Sequence, residues 1–341
     1  MSWNLIGHEW AADILKKHIL KGNVRHAYLF CGPDGIGRRS LALRFAQALT
    51  CPEAKESGEP CLICHSCQRI ARMQHPDLFA VKVPENRKEI LIEQVRSLQH
   101  DLSLAPYEAP YRIGLLLDFQ NASAAAQNAM LKTLEEPTSR TILLVTASRS
   151  EDLLSTIASR CEVILLRSAS LEEVADSLEN EPGATRGEAE KIARLSGGCY
   201  GQALSMLQNP EIVERNNNLI DGLLRVMAAP LRDRFAYAEE LTTRKTSSRE
   251  NLHTAIRVWI SFWRVVLLIN GGAGASVSHV DYQAALDRLA AEIPAGEIHA
   301  QLSRLEEALD QLDRNANSRL LAEILVMDLP QLLQPLKFPK E

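Results

Sequence analysis

Residues Cys31 to Ala42, "CGPDGIGRRSLA", come close to spelling a phosphate-cradling loop. That loop needs Gly, four residues, Gly, Lys, then Ser or Thr. Gly32 and Gly37 keep the spacing, with Gly35 between them. Arg38 and Arg39 stand where the lysine and the hydroxyl belong. Arg38 keeps the positive charge, but its planar fork does not substitute for an ammonium at close quarters. Arg39 offers magnesium no oxygen. Ser40 does, one position late and about 100° further round a helix.

Working outward, "AYLFCG" (27–32) is a short apolar run ending in glycine, the pattern of a buried strand. Leu41, Phe45, Ala48 and Leu49 then repeat at helical spacing. "RIGLLLDF" (112–119), "TILLVTAS" (141–148) and "EVILL" (162–166) read as three more buried strands. "SAAAQNAMLKTLEEP" (123–137) reads as a helix stopped by Pro137, with Glu135 and Glu136 fixing its terminal turn. Strands alternating with helices predict a mostly parallel sheet with helices on both faces over residues 1–167. The metal-binding acid of a hydrolase is present as Asp118 after the second of these strands. Phe119 and Gln120 follow it, not the second carboxylate that activates water. Both defects predict little or no hydrolysis by this chain.

Beyond Leu166 the strand signal stops. Ser170 and Glu173 make a capping box. Short helical patterns run to about residue 208, and longer ones follow. "NGGAGAS" (270–276) reads as a flexible connection. The apolar spacings Leu302, Leu305, Leu309, Leu312 and Leu320, Leu321, Ile324, Leu325 predict amphipathic helices.

Cys51, Cys61, Cys64 and Cys67 give C-x9-C-x2-C-x2-C. Four thiolates suit a tetrahedral zinc with bonds of about 2.3 Å and leave no open position for chemistry. The alternatives are an iron–sulfur cluster, whose usual run continues x3-C-P where "CQRI" stands here, and free thiols. His65 and His75 are spare ligands not expected to be used. Cys31, Cys161 and Cys199 read as packing residues.

The 341 residues allow two or three domains. A net charge of −5 is unlike a protein that wraps nucleic acid unaided. The acidic stretch around the cysteines also argues against a zinc-ribbon DNA binder. Residues 1–22 lack a signal-peptide pattern. The apolar run near Val258 to Ile269 contains Arg264 and reads as too short to cross a membrane. The expectation is a cytoplasmic protein.

"RHAYLFCGPDGIGRRSLA", the four-cysteine insert, "HPDL", "NAMLKTLEEP", "SRC" and "NANSRLLAEILVMDLP" occur in an order that resembles the bacterial DNA polymerase III clamp-loader subunits, a family of AAA+ proteins. The resemblance covers nearly the whole chain. The spoiled loop and missing carboxylate look like the delta-prime branch, whereas gamma and tau, the motor subunits, keep intact loops. It implies an AAA+, RecA-like α/β domain over 1–167 with a zinc module at about 50–68. It also implies a small helical lid over 168–208 and an all-α collar for oligomerisation over 209–341. Where motor subunits carry a nucleotide-sensing arginine, "GGCYGQAL" has Gly201. Thr146 matches a polar sensor position and reads as a remnant. By match to "SRC" (Ser159, Arg160, Cys161), Arg160 is the arginine finger lent to a neighbour's ATP site. The implied partners are gamma/tau and delta subunits, and through them the sliding clamp and primed DNA. The implied cofactor is one structural zinc, with ATP bound weakly or not at all. The alternative is an active gamma/tau-like ATPase.

Overall fold

The structure, a computed structural model, describes residues 3–85, 87–242, 248–273, 279–314 and 316–331. Five strands form one parallel sheet: β1 (Ala27–Cys31), β2 (Leu78–Val81), β3 (Arg112–Leu116), β4 (Thr141–Ala147) and β5 (Glu162–Leu165), in the order β2-β3-β4-β1-β5. The interior strand β1 pairs on one side with β4, Leu29 opposite Val145, and on the other with β5, Leu29 opposite Val163.

Period-two alternation sends Tyr28 and Phe30 to one face, and Ala27, Leu29 and Cys31 to the other. Both faces are apolar, so the strands read as unbroken hydrophobic runs. The Tyr28 face packs against α1 (Glu9–Leu20), α2 (Arg38–Thr50), α3 (Ala54–Ser57) and α4 (His65–Ala71) through Leu15, Leu41, Phe45, Ala54 and Ile70. The Leu29 face packs against α5 (Ile92–Ser103), α6 (Ala124–Glu135) and α7 (Ser155–Ala158) through Leu98, Met130 and Ile157. Four strands and both faces follow the sequence pattern. The fifth, β2, does not: its four residues alternate only partly between buried and open, too short a run to show a period.

Next come α8 (Leu171–Glu179), α9 (Arg186–Leu195) and α10 (Tyr200–Gln208). Ser170 Oγ accepts from the Glu173 N–H, and the Glu173 carboxylate accepts from the Ser170 N–H, closing the expected capping box. Compactness divides the chain into two units. One comprises Met1–Arg186 with Gly198–Leu204, and the other Gly187–Gly197 with Ser205–Glu341.

The second unit contains α11 (Pro210–Met227), α12 (Leu231–Thr242), α13 (Ser248–Asn270), α14 (Gln283–Glu292), α15 (Ala295–Asp313) and α16 (Ser318–Met327). Its core is built on α13, whose Trp259, Phe262, Trp263 and Val266 are fully buried or nearly so. The expectation that the run near Val258 is too short to span a membrane is corrected here. α13 has 23 residues, and by length and composition it is long and apolar enough to cross a membrane. Half of its most apolar window is buried among the helices of its own unit, which accounts for its hydropathy without a bilayer. On α15, Leu302, Leu305 and Leu312 of the stripe are buried and Leu309 is half-buried against the same core. The one on α16 splits: Leu321 and Leu325 face the core, while Leu320 and Ile324 are exposed together with Met327. Residues 274–276 of the glycine-rich patch, and Asn315, lie outside the described residues.

Candidate functional site

The glycine loop leaves the carboxyl end of β1 and feeds α2, the edge where open parallel sheets place their ligands. Gly35 and Gly37 adopt φ of 76° and 110°, values that glycine reaches without steric cost. Arg38, the first residue of α2, does not point to solvent: its side chain is only 8% exposed. Its Nη1 donates to Gly32 O at 2.6 Å and Ser148 Oγ at 3.2 Å. Its Nη2 donates to Asp34 Oδ1 at 2.9 Å and Asp118 Oδ1 at 2.8 Å. The guanidinium thus ties the ends of β1, β3 and β4 together from inside the loop.

Asp118 itself sits in a left-handed turn at φ 50°, its N–H donating to the buried Thr146 Oγ1 at 2.8 Å. Arg39 is exposed and reaches Met73 Sδ at 3.7 Å, and Ser40 is exposed. His8, which sequence reasoning passed over, lies under the loop, 2% exposed, its Nε2 donating to Ile36 O at 2.6 Å.

Gly201 also comes to this loop. Its N–H donates to Gly35 O at 2.9 Å, and the neighbouring Gln202 Nε2 donates to Asp34 O at 2.9 Å. A Cβ at position 201 would lie 2.7 Å from Gly35 O, and one at position 35 would lie 2.5 Å from Gln202 Cγ. Glycine at both places is what lets the two backbones meet, and an arginine at 201 would not fit this arrangement.

The four cysteines converge. Cys51 caps the end of α2, Cys64 caps the start of α4, and all four sulfurs lie within 4.8 Å of one another. Cys51 Sγ is 3.6 Å from Cys61 Sγ and 3.9 Å from Cys64 Sγ. A tetrahedron of thiolates with bonds of about 2.3 Å has edges near 3.8 Å, so the donor set fits one metal ion. Backbone N–H groups already point at the sulfurs: Cys64 N–H donates to Cys61 Sγ, and Cys67 N–H to Cys64 Sγ, both at 3.4 Å. Desolvation raises the Cys61 thiol pKa, but the N–H groups of Cys64 and Ile63 outweigh it and pull it down to about 7. Neither spare histidine joins the cluster.

His75 is held elsewhere, in a device whose "HPDL" signature gave no hint of a task. Asp77 is fully buried, and its carboxylate accepts from the N–H groups of Tyr107, Glu108 and Ala109 at 2.7, 2.9 and 2.9 Å. His75 Nδ1 accepts from the Asp77 N–H, leaving Nε2 to face the Glu108 carboxylate at 3.2 Å. Together they fix the loop that carries Tyr107, which is 80% exposed.

Arg160 lies between α7 and β5, far along the chain from the loop. Its Nη1 donates to Thr156 O at 2.9 Å and its Nη2 to Glu135 Oε1 at 2.9 Å, with the side chain 35% exposed. Glu135 therefore does more than finish α6. Beside Arg160, the Ser159 hydroxyl donates to Thr156 O. Cys161 packs into the Leu29-side core, its thiol pushed up to about 12 by burial and by Cys31. Cys31 and Cys199 are buried packing residues, as expected.

Residues 7–170 match a family model described as "DNA polymerase III, delta subunit". The delta-prime subunit of Pseudomonas aeruginosa is 34% identical over 206 residues, spanning 59% of this chain and 61% of that protein. The delta-prime subunit of Bacillus subtilis is 26% identical over 318 residues, spanning 93% and 94%. A gamma subunit-related protein of Thermotoga maritima has the same fold, with a TM-score of 0.51 at 18% identity over 93% of this chain and 97% of that one. The order of motifs, the parallel sheet with its glycine loop and these likenesses agree: the chain is similar in sequence to DNA polymerase III delta-prime subunits and shares the fold of the gamma subunit-related protein.

Proposed function

We propose that this chain is the delta-prime-type member of a DNA polymerase III clamp loader, which places a sliding clamp on primed DNA. In this reading it assembles with gamma/tau motor subunits and a delta subunit in the cytoplasm. Residues 168–208 act as the lid, and residues 209–341 as the collar. The chain turns over little or no ATP itself and lends Arg160 in trans to a neighbouring motor.

The observation that carries this reading is the position of Arg38. Its guanidinium lies in the glycine loop, bonded to Gly32 O, Asp34 and Asp118. Asp118, the acid that would hold magnesium, is already engaged by that cation. A phosphate entering the loop would have to displace a half-dozen contacts, counting those of Gly201 and Gln202. Arg160 supplies what the loop lacks. A finger given in trans stabilises charge on the transferring phosphoryl and is worth about 10³–10⁵ in rate.

The four cysteines hold one structural zinc in this reading. It would supply folding energy and cross-link the end of α2 to α4.

Two measurements test the reading. The purified chain alone should hydrolyse ATP no faster than its Arg38→Ala variant, both near background. Brisk turnover by the wild type would instead favour a gamma/tau-like ATPase. In the reassembled complex, Arg160→Ala should leave assembly intact and lower clamp- and DNA-stimulated hydrolysis by at least about tenfold.

A further inference from the structure

Glu135, in the "LEEP" end of α6, plays no part in the reading so far. Its Oε1 accepts from Arg160 Nη2 at 2.9 Å, while Thr156 O accepts from Nη1 at 2.9 Å. These two points, one on a helix end and one on the α7 turn, fix a planar group against rotation. A guanidinium has five N–H donors. The two contacts use one from each terminal nitrogen, which leaves the Nε–H and a second N–H on both nitrogens for another molecule. The side chain is 35% exposed, so it is neither buried nor free.

We infer that Glu135 is a positioning residue for Arg160, bracing the guanidinium in the orientation in which it meets a neighbouring subunit's phosphate. The inference rests on the reading of Arg160 as a donated cation. A lock is the other geometry such a pair can serve, but the Glu135 carboxylate is 51% exposed. Pairs this open to water are weak and are outcompeted by a polyphosphate. They are strong enough to bias a rotamer, which is all a brace must do. Ordering the side chain in advance removes part of the entropy cost of reaching the phosphate.

The test uses the full chain reassembled with its motor and delta partners, reading clamp- and primed-DNA-stimulated ATP hydrolysis. Glu135→Ala should lower kcat about two- to fivefold, the size an exposed pair can supply, with KM for ATP and assembly unchanged. Glu135→Gln keeps an acceptor oxygen and should recover most of the loss. The double variant Glu135→Ala/Arg160→Ala should be no slower than Arg160→Ala alone, because Glu135 works through that side chain. Wild-type or faster hydrolysis by Glu135→Ala, beside an impaired Arg160→Ala, overturns the brace and leaves the finger standing. Full activity in Arg160→Ala removes both. A double variant slower than Arg160→Ala by the Glu135 factor shows that Glu135 acts elsewhere, and overturns the brace as well.

Discussion

Single side chains in this protein take their meaning from partners distant in sequence. The mismatch at Arg38 is visible by inspection against the phosphate-loop pattern. Its destination is not, because Asp118 is 80 positions away and arrives only when β3 lies near β1 in the sheet. Asp77 was less legible still: a buried carboxylate answered by three backbone N–H groups leaves no side-chain pattern to read. Desolvation raises its pKa, but the Tyr107, Glu108 and Ala109 N–H bonds outweigh that and hold it below the usual 3.8. The group therefore stabilises the fold above that value and loses its contribution as pH falls through the lowered pKa. His75 titrates in the same sense. Burial, only partly offset by Glu108, lowers its pKa below 6.5, so the unfolded chain takes up its proton first and stability declines as pH drops below 6.5. Asp77→Asn replaces one acceptor oxygen by a donor facing N–H groups. It should cost about 1–3 kcal/mol, read as a lower Tm at pH 7, and should flatten the stability loss below pH 4.

At the scale of elements, periodicity served where a segment was long and one-sided. α2, α6 and α15 were readable for that reason, as were the four strands buried on both faces. β2 and the outward half of α16 were not. A four-residue edge strand has no period, and an apolar residue facing solvent looks in sequence like one facing a core. The cysteine insert was legible from spacing alone, and its geometry supports the same chemistry. α3 and α4 are four and seven residues long, too short to be stable alone. Under the zinc reading, stripping the metal should therefore melt this module first. A chelator is expected to release one equivalent of zinc and to raise hydrogen exchange over residues 51–71, with β1, β3 and β4 still protected. Release of no metal, or an unchanged exchange pattern, would count against the structural zinc.

For the molecule as a whole, the two-unit division is only partly written in composition. The change from alternating strands and helices to helices alone is plain near residue 167. The return of Gly198–Leu204 to the first unit accompanies contacts that no local pattern encodes: Gly201 N–H to Gly35 O, Ala169 N–H to Gly198 O, and Cys199 in the Tyr28-side core. On the second unit, Leu320, Ile324 and Met327 lie at i, i+4 and i+7 on α16, exposed by 56%, 44% and 50%. α12, which packs against α16, adds exposed Leu231 and Phe235. Under the collar reading this stripe meets the last domains of neighbouring subunits. Ile324→Glu should then leave the unfolding free energy of the isolated chain within about 0.5 kcal/mol of wild type, as a surface change does. Gel filtration of the mixed subunits should show that it no longer co-elutes with its partners.

The strand order also bears on how the protein is made. β1 is an interior strand with a partner on each side, yet the partners of Ala27 and Tyr28, Leu143 and Glu162, are more than a hundred positions downstream. A ribosome adding about 5–20 residues per second leaves "AYLFC" without a strand partner for roughly 6–25 s. During nascent-chain emergence this segment is the part most in need of a chaperone's shelter, and slowing translation after residue 31 should lengthen that hazard more than slowing it after residue 165.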